Sequence, residues 1–283
     1  MKNGLNLLNG FIFLATSSLT AADWLNLPKW DEGLAEVCLY DGQIIKYGIL
    51  RDSTLELISV REHFDPEKLV KTSSPTKKTV IPIMKINIVK RTRTGIYEYV
   101  QMASVFINRD SGRLEKLSCV SSEWCGNSFA LFENRPPAAG LILSNYMDDM
   151  GTSQIPNPIG DGNIFYDQLV PYLRQHLHGL EAGRQFPIIK SLLTNKPAYL
   201  TDTATIESVR KTIIRAGGRR YRAYDIAVGI GKRTERFTLA DTPERTLLQW
   251  RSDASEYYRL RKVTFLDYWN RNRPGDEKLL KRR

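Results

Sequence analysis

The sequence predicts a mainly β protein of the α+β class, with a curved antiparallel sheet or half-barrel and one or two helices. Short stretches in which apolar and polar residues alternate recur along the chain, and Gly, Pro, Asn and Asp separate them. Few helical patterns lie between these stretches, which favours antiparallel pairing over an alternating βαβ order. No internal repeat of fixed period is present.

The N-terminal residues predict an exported protein. Lys2 precedes a short apolar segment at residues 5–14, and Thr20 and Ala22 supply the small residues of a signal-peptidase site that cuts after Ala22. The segment is too short to span a bilayer, and no later stretch reaches that length. We therefore expect residues 1–22 to be a signal peptide and the protein to be periplasmic or secreted, not an integral membrane protein. A buried N-terminal helix is the alternative.

The first half of the remaining chain is predicted to be a series of strands. A hairpin between residues 34–40 and 44–50 is expected to turn at Asp41-Gly42, because this dipeptide tolerates the positive φ of a tight turn. In the strand at residues 80–91, Ile81, Ile83 and Val89 are expected on one side. Further strands are predicted at residues 54–64, 129–132 and 141–146, with an exposed loop at residues 65–79.

A second hairpin is expected in residues 99–129, with its turn at residues 108–112. The second strand of this hairpin ends in the motif Glu123-Trp124-Cys125-Gly126-Asn127. We interpret the Trp-Cys-Gly part as a structural corner that points into the body of the protein.

The second half begins with a loop or domain boundary at residues 150–163, which contain three Gly and two Pro. Residues 164–178 predict a helix that begins or kinks at Pro171, because Phe165, Leu169, Leu173 and Leu177 are spaced by four. Strands follow at residues 186–193, 221–228, 233–239, 246–252 and 256–268, and residues 205–214 are either a strand or a helix. We expect one β-rich domain over residues 23–269 and a polar, basic tail at residues 270–283.

The charge is unevenly distributed along the chain. The protein has 41 Lys+Arg and 31 Asp+Glu. Residues 203–283 contain 20 of the basic residues and 10 of the acidic ones, so the net charge of +10 resides in this last part. One interpretation is that the basic C-terminal part binds anionic envelope polymers or protein partners. The other is a solvated charged face that discourages edge pairing of the sheet. No nucleic-acid-binding motif accompanies the charge, so no specific nucleic acid is predicted.

Three cysteines, Cys38, Cys119 and Cys125, allow at most one disulfide within the chain. Cys119 and Cys125 are able to pair only if the chain turns at Ser121-Ser122-Glu123, since six extended steps separate Cα atoms by about 20 Å. Cys38 is an alternative partner for either one. Cys125 is also a candidate nucleophile of a Cys-dependent hydrolase, although the sequence around it matches no known protease pattern.

Oxygen ligands suggest one further candidate site. Asp148, Asp149 and Asp161 flank the Gly-rich loop and are candidate ligands of Ca²⁺, although their spacing matches no EF-hand.

Gly229-Ile230-Gly231-Lys232 lacks the remaining residues of a phosphate-binding loop and predicts a turn. No cofactor is predicted, and the absence of a catalytic constellation favours a non-enzymatic protein.

Aromatic residues are frequent in the predicted strands. On a closed sheet they belong to the core, but on a curved sheet with one open face they would line an apolar cavity. The sequence therefore favours a protein that binds a lipid or another apolar envelope component. These aromatic residues are Tyr97, Tyr99, Phe106, Phe129, Trp250, Tyr257, Tyr258, Phe265, Tyr268 and Trp269.

Three segments carry a resemblance to known proteins: AEVCLYDGQIIKYG at residues 35–48, ISVREHFDP at 58–66 and SSEWCGNSF at 121–129. They resemble a group of uncharacterised bacterial secreted proteins with an EWCG motif. Some members are labelled septum formation inhibitor Maf, but the chain lacks the Ser-Pro-Arg-Arg type motif of that family. The layout is also similar to the β half-barrels of lipoprotein-localisation factors, in which a curved sheet surrounds a helix or an acyl chain. The resemblance implies no activity and assigns no functional residue.

Overall fold

The computed structural model describes residues 22–73, 80–135, 137, 139–147, 149–160, 162–253 and 256–280. The predicted signal peptide therefore lies outside the described residues, except for Ala22. The described chain forms a large, curved and unclosed antiparallel sheet with two short helices, which confirms the predicted fold class. The helices are α1 (Ala22–Leu25) and α2 (Leu169–His176).

Sixteen strands make up this sheet. The first nine are β1 (Ala35–Lys46), β2 (Ile49–Asp65), β3 (Val70–Lys71), β4 (Ile81–Thr94), β5 (Tyr97–Asn108), β6 (Leu114–Glu123), β7 (Gly126–Glu133), β8 (Gly140–Asn145) and β9 (Gly151–Pro156). The others are β10 (Ile164–Phe165), β11 (Gln185–Ile189), β12 (Thr201–Ala216), β13 (Arg219–Ile230), β14 (Arg233–Ala240), β15 (Leu247–Ser252) and β16 (Glu256–Leu266).

The sheet joins the two halves of the chain through β1 and β16. The strand order is β10-β11-β12-β13-β14-β15-β16-β1-β2-β4-β5-β6-β7-β8-β9, and β3 pairs beside β2. Only β10 and β11 pair in parallel among the described strands. Consecutive strands are mostly neighbours, because short turns connect antiparallel strands.

The concave face of the sheet encloses α2. Phe165, Leu169, Leu173 and Leu177 are all buried, and they belong to one hydrophobic cluster with inward side chains from both halves of the sheet. Burial of each such side chain contributes about 1.5–3 kcal/mol. Pro171 lies in the first turn of α2, where its missing N–H costs little, so the helix begins at Leu169 instead of kinking.

A buried ion pair fastens α2 to the sheet. Arg174 Nη2 lies 2.7 Å from Glu36 Oε2 of β1, and both side chains are fully buried. Arg174 also donates hydrogen bonds to Ser59 Oγ and to the Glu244 carbonyl. Its guanidinium carbon lies 4.6 Å from the centre of the Trp24 ring, so this pair also anchors α1.

The turn of the first hairpin differs from its prediction. β1 continues through Asp41-Gly42 to Lys46, and the turn lies at Tyr47-Gly48, both of which have positive φ. A Cβ atom at Gly42 would lie 2.2 Å from the Tyr258 ring, so this glycine allows β16 to approach β1 closely. Close packing, not a turn, explains Gly42.

Several other sequence expectations have definite outcomes. The predicted loop at residues 150–163 contains β9. Of the two alternatives for residues 205–214, the strand is confirmed, since these residues form part of β12. The apolar residues of β4 lie on both faces: Ile81 and Ile83 share one side as predicted and pack in a small separate cluster, whereas Met84, Ile86 and Ile88 enter the main core from the other side. The tail is ordered over its described part by short 3-10 helices at Tyr268–Asn270 and Asp276–Leu280.

Candidate functional site

A loop crosses the interior of the sheet near one end. Residues 190–200 connect β11 to β12, and we call them the crossing segment. Its two ends meet, because Lys190 N–H donates to the Leu200 carbonyl at 2.8 Å. The strand predicted at residues 186–193 ends at Ile189, and the chain then leaves the sheet. A compact loop whose ends lie close together is a frequent site of function.

A row of inward polar side chains holds the crossing segment. Direct cross-strand pairing aligns Lys90, Gln101, Ser121, Ser128 and Asn145 on β4 to β8. We call these five residues the polar row.

Three members of the polar row donate hydrogen bonds to consecutive backbone carbonyls of the crossing segment. The bonds run from Gln101 to Leu193 at 3.1 Å, from Ser128 to Thr194 at 2.6 Å and from Asn145 to Asn195 at 2.7 Å. The segment is thus attached to the sheet by side chains, without the backbone ladder that fixes a strand.

An apolar cavity lies beneath the crossing segment. Its solvent-sized space is ≈ 20 Å³, which is enough for about one water molecule. Leu193 and Ser191 of the crossing segment close it on one side. The other lining residues are Leu55, Leu57, Ile88, Lys90, Tyr166, Asp167, Leu169, Val170, Phe237, Leu247 and Trp250.

Lys90 brings a cation to this apolar cavity. Its Nζ lies 2.6 Å from Glu256 Oε2 and 4.1 Å from the centre of the Trp250 ring. Burial alone would lower the pKa of Lys90, but the Glu256 carboxylate and Tyr258 outweigh burial, so the pKa is raised. The lysine is therefore a fixed positive charge in a largely apolar environment.

Asp167 connects the cavity to the crossing segment. Its carboxylate accepts hydrogen bonds from Ser191 Oγ at 2.6 Å and from Leu192 N–H at 2.7 Å. Burial raises the pKa of Asp167, and the hydrogen bonds from Ser191 and Leu192 oppose this only in part. Buried titratable groups with shifted pKa values in a cavity are typical of functional sites, although structural networks also produce them.

The cavity lies toward the end of the sheet that carries exposed apolar hairpin tips. The β1–β2, β4–β5, β6–β7 and β8–β9 turns all lie at this end, and the crossing segment lies there too. We call the apolar tip residues the rim. They are 56% to 82% exposed, and they comprise Tyr47, Ile49, Leu50, Ile96, Trp124 and Tyr146.

A chain of aromatic contacts connects two residues of the rim, Tyr47 and Trp124. Tyr47 donates or accepts a hydrogen bond with Tyr99, whose ring centre lies 5.8 Å from that of Tyr97. Tyr97 in turn lies 6.1 Å from the Trp124 ring. Exposed apolar patches of this kind mark surfaces that contact other molecules.

The Trp-Cys-Gly corner belongs to this rim. The prediction that it points into the body of the protein is wrong, because Trp124 is 73% exposed at the β6–β7 turn. Cys125 is exposed, and the neighbouring Glu123 raises the pKa of its thiol. A raised thiol pKa disfavours the thiolate that a nucleophilic cysteine needs, so these surroundings give a hydrolase no support.

All three cysteines are free. Cys119 and Cys38 are buried in the core, and Cys119 lies opposite Ala130 in the β6–β7 pair. Residues 121–123 continue β6, so the turn that a Cys119–Cys125 disulfide requires does not form there. The chain turns at Trp124-Cys125, where Cys125 remains distant from Cys119 along the strand.

The proposed calcium ligands fall mostly outside the described residues. Asp148 and Asp161 are not described, and Asp149 lies in the β8–β9 turn with a positive φ. Among the described residues, no group of three or more His, Cys, Asp or Glu side chains is arranged to hold a metal ion. The calcium site stays an untested prediction.

The predicted aromatic residues separate into different environments. Trp250 lines the cavity, and Tyr258 is buried beside it. Phe106 packs on Phe64 in a separate small cluster, and Phe265 lies near Trp30.

Sequence reasoning did not single out Lys90, Asp167 or the polar row, since their alignment depends on strand register and not on any local motif.

Comparisons with known proteins identify a related fold. No family model matches the chain, and no curated protein matches it at a significant level. A crystal structure of a β-barrel-like protein of domain of unknown function DUF1849 from Brucella abortus matches 83% of this chain and 98% of that chain, with a TM-score of 0.50 and 10% sequence identity. The chain thus has a β-barrel-like fold. At this identity the likeness concerns the fold alone.

One further finding concerns membranes. Within the described part of the chain, no helix has the length and apolar composition needed to cross a bilayer.

Proposed function

We propose that this protein is a non-enzymatic, exported envelope protein that binds an amphiphilic, lipid-like ligand in the cavity beneath the crossing segment. One observation carries the proposal: an apolar cavity, a loop that closes it and an exposed apolar rim lie at the same end of the sheet. The apolar part of the ligand would lie among Leu57, Phe237 and Trp250. An acidic or polar head group would lie near Lys90.

Ligand entry requires the crossing segment to move. Ligand pockets usually measure about 300–1,000 Å³, whereas the cavity offers ≈ 20 Å³. The closed arrangement therefore has no room for an acyl chain. Displacement of the crossing segment breaks its side-chain hydrogen bonds, of about 1 kcal/mol each, including those of Asp167. It also removes Leu192 from the core at about 1.5–3 kcal/mol, but it leaves the sheet intact.

The rim gives the entry route a chemical rationale. Tyr and Trp side chains with an apolar body and a polar tip favour the boundary between water and lipid. Tyr47, Trp124 and Tyr146 provide such side chains around the crossing segment. The rim would shield an acyl chain from water during its transfer into the cavity.

Native mass spectrometry tests the proposal. Protein purified without detergent from its own host is expected to carry an adduct in the mass range of a lipid, which solvent extraction removes and an added fatty acid replaces. The Val170→Phe variant, which fills the cavity, should lose this adduct. The Val209→Phe variant is a matched control, since Val209 is partly buried but does not line the cavity. Fully ligand-free protein that also fails to take up added fatty acid would refute the proposal.

Export is a separate proposal with its own test. The sequence of residues 1–22 supports it, and N-terminal sequencing of the protein from its host should begin at Asp23. An intact N-terminus that begins at Met1 would refute cleavage.

A further inference from the structure

A second cleft lies in the basic C-terminal part, and it has no residue in common with the cavity beneath the crossing segment. Its volume is ≈ 820 Å³, within the usual range for ligand pockets. The β12–β13 turn, β16 and the chain after β16 form its walls. The charged lining residues are Arg219, Arg261, Lys262, Arg271 and Lys278.

The described lining of this cleft contains five basic side chains and no acidic one. Arg261 and Arg271 have acidic partners, Asp41 at 3.2 Å and Asp267 at 2.8 Å, that lie outside the lining. Among the described residues, Arg219, Lys262 and Lys278 form no ion pair. The cleft therefore holds a clear excess of positive charge.

The neighbouring surface adds to this positive potential. Arg215 and Arg220 lie directly opposite each other near the β12–β13 turn, on the other face of the hairpin from Arg219. Like charges in this position repel and destabilise a strand pair.

Three chain segments build the cleft: the β12–β13 turn, β16 and the chain that follows β16. Arg261 and Lys262 of β16 donate hydrogen bonds to the Leu280 and Leu279 carbonyls, the latter at 2.7 Å. These bonds position the 3-10 helix Asp276–Leu280, which carries Lys278, against the sheet. Cations from three separate chain segments thus converge on one space.

We propose that this cleft binds an anion that carries two or more phosphate groups. An arginine guanidinium matches the geometry of phosphate oxygens with two parallel N–H donors, and lysine adds point charges. Several cations spread over a cleft of this size fit separated phosphates better than a single carboxylate. Tyr221 and Leu279 supply a limited apolar wall against which a sugar ring or a short linker would pack.

Single-stranded nucleic acid is the less suitable ligand. Such ligands are usually held by several aromatic side chains on which successive bases stack. Tyr221 is the one aromatic residue in the described lining. The proposed chemistry is shared by a soluble polyphosphate and by a diphosphate lipid head group, and separate arms of the test distinguish these sources.

Isothermal titration calorimetry of the full protein with tripolyphosphate at low salt tests the proposal. We expect saturable binding that weakens as salt increases, because ions screen the attraction. The variant Arg219→Gln/Lys262→Gln/Lys278→Gln should bind at least about tenfold more weakly. Arg219→Gln alone is the companion variant, because the hydrogen bonds described for the tail come from Arg261 and Lys262 and this substitution leaves them in place.

The control Lys211→Gln/Lys232→Gln/Arg251→Gln removes the same charge from exposed positions outside the cleft. It should bind within about threefold of the wild type, since only long-range attraction changes. Equal losses in both triple variants would mean non-specific attraction and would overturn the proposal.

Vesicles that contain cardiolipin form the second arm. Binding to these vesicles but not to tripolyphosphate would assign the cleft to a lipid head group, and the reverse would assign it to a soluble anion. The absence of binding in both arms would overturn the proposal. Equally tight binding of polygalacturonate, which carries carboxylates only, would overturn the preference for phosphate.

Discussion

Ser128 and Asn145 lie directly opposite each other on β7 and β8, and their side chains donate hydrogen bonds to the consecutive carbonyls of Thr194 and Asn195. This register places two donors side by side, where each reaches one of two successive carbonyl groups of the crossing segment. The crossing segment therefore rests on the sheet through matched geometry. Side-chain hydrogen bonds hold the crossing segment, whereas backbone hydrogen bonds would hold a strand.

Loosening this attachment should accelerate ligand entry. The Ser128→Ala/Asn145→Ala variant removes two hydrogen bonds to the crossing segment, of about 1 kcal/mol each. The closed arrangement therefore loses roughly tenfold or more in population relative to open forms. Stopped-flow mixing with a fluorescent fatty acid should show a faster association phase. Ser144→Ala is the control, because Ser144 points to the other face of β8 and bonds Thr152. Identical rates in all three proteins would contradict a gating role.

Lys90 should select the head group of the ligand. The Lys90→Met/Glu256→Gln variant removes both members of the ion pair together, so no buried charge is left unpaired. A fatty acid is expected to bind this variant at least about tenfold more weakly, because a charged hydrogen bond contributes about 1.5–3 kcal/mol. The corresponding fatty alcohol should bind both proteins alike. Parallel losses for acid and alcohol would show that the substitutions only disturb the cavity.

The buried pair between Arg174 and Glu36 should dominate the attachment of α2. Arg174→Met leaves the Glu36 carboxylate buried without its cation, which is expected to lower the free energy of unfolding by about 3–5 kcal/mol. Urea denaturation measures this change. Arg271→Met, which breaks the exposed pair with Asp267, should cost less than about 1 kcal/mol. A small loss for Arg174→Met would mean that α2 is held by its apolar contacts alone.

Asp167 should give stability a distinct pH dependence. Its folded-state pKa lies above the ordinary value of 3.8, so the native state keeps this proton to a higher pH than the unfolded chain does. The contribution is full below about pH 3.8 and is lost as pH rises through the folded-state pKa. Asp167→Asn stays neutral throughout.

The measurable quantity is the difference in unfolding free energy between the wild type and Asp167→Asn. It should fall by about 1.4 kcal/mol for each unit by which the pKa is raised, and then become constant. Urea titrations at several pH values from 4 upward follow this change. A difference that stays constant over the whole range would contradict the raised pKa.

The sequence predicted the turn at residues 108–112 correctly because local chemistry determines it. Asn108 Oδ1 accepts hydrogen bonds from the backbone N–H groups of Asp110 and Ser111, and Gly112 has a positive φ. The helix stripe that contains Leu169 and Leu173 was likewise readable from its spacing. Such features depend on residues close together in sequence.

Long-range contacts explain the features that the sequence did not reveal. Gly42 carries a turn signal, but its role depends on Tyr258, which is more than two hundred residues away. Residues 190–193 have strand composition, yet Asp167 and the polar row draw them across the sheet. Trp124 is exposed because it lies in the β6–β7 turn, at the end of the sheet and away from the core. Each outcome depends on register between distant strands.

Equilibrium titration of delipidated protein with a fluorescent fatty acid tests the central claim most directly. The wild type should bind one molecule per chain in a saturable manner, and unlabelled fatty acid should displace it. Ile96→Ser, a change confined to the rim, should keep this stoichiometry, whereas the folded Val170→Phe variant should lose it. Wild-type protein that shows no saturable binding, or Val170→Phe that binds as the wild type does, would contradict a ligand site beneath the crossing segment.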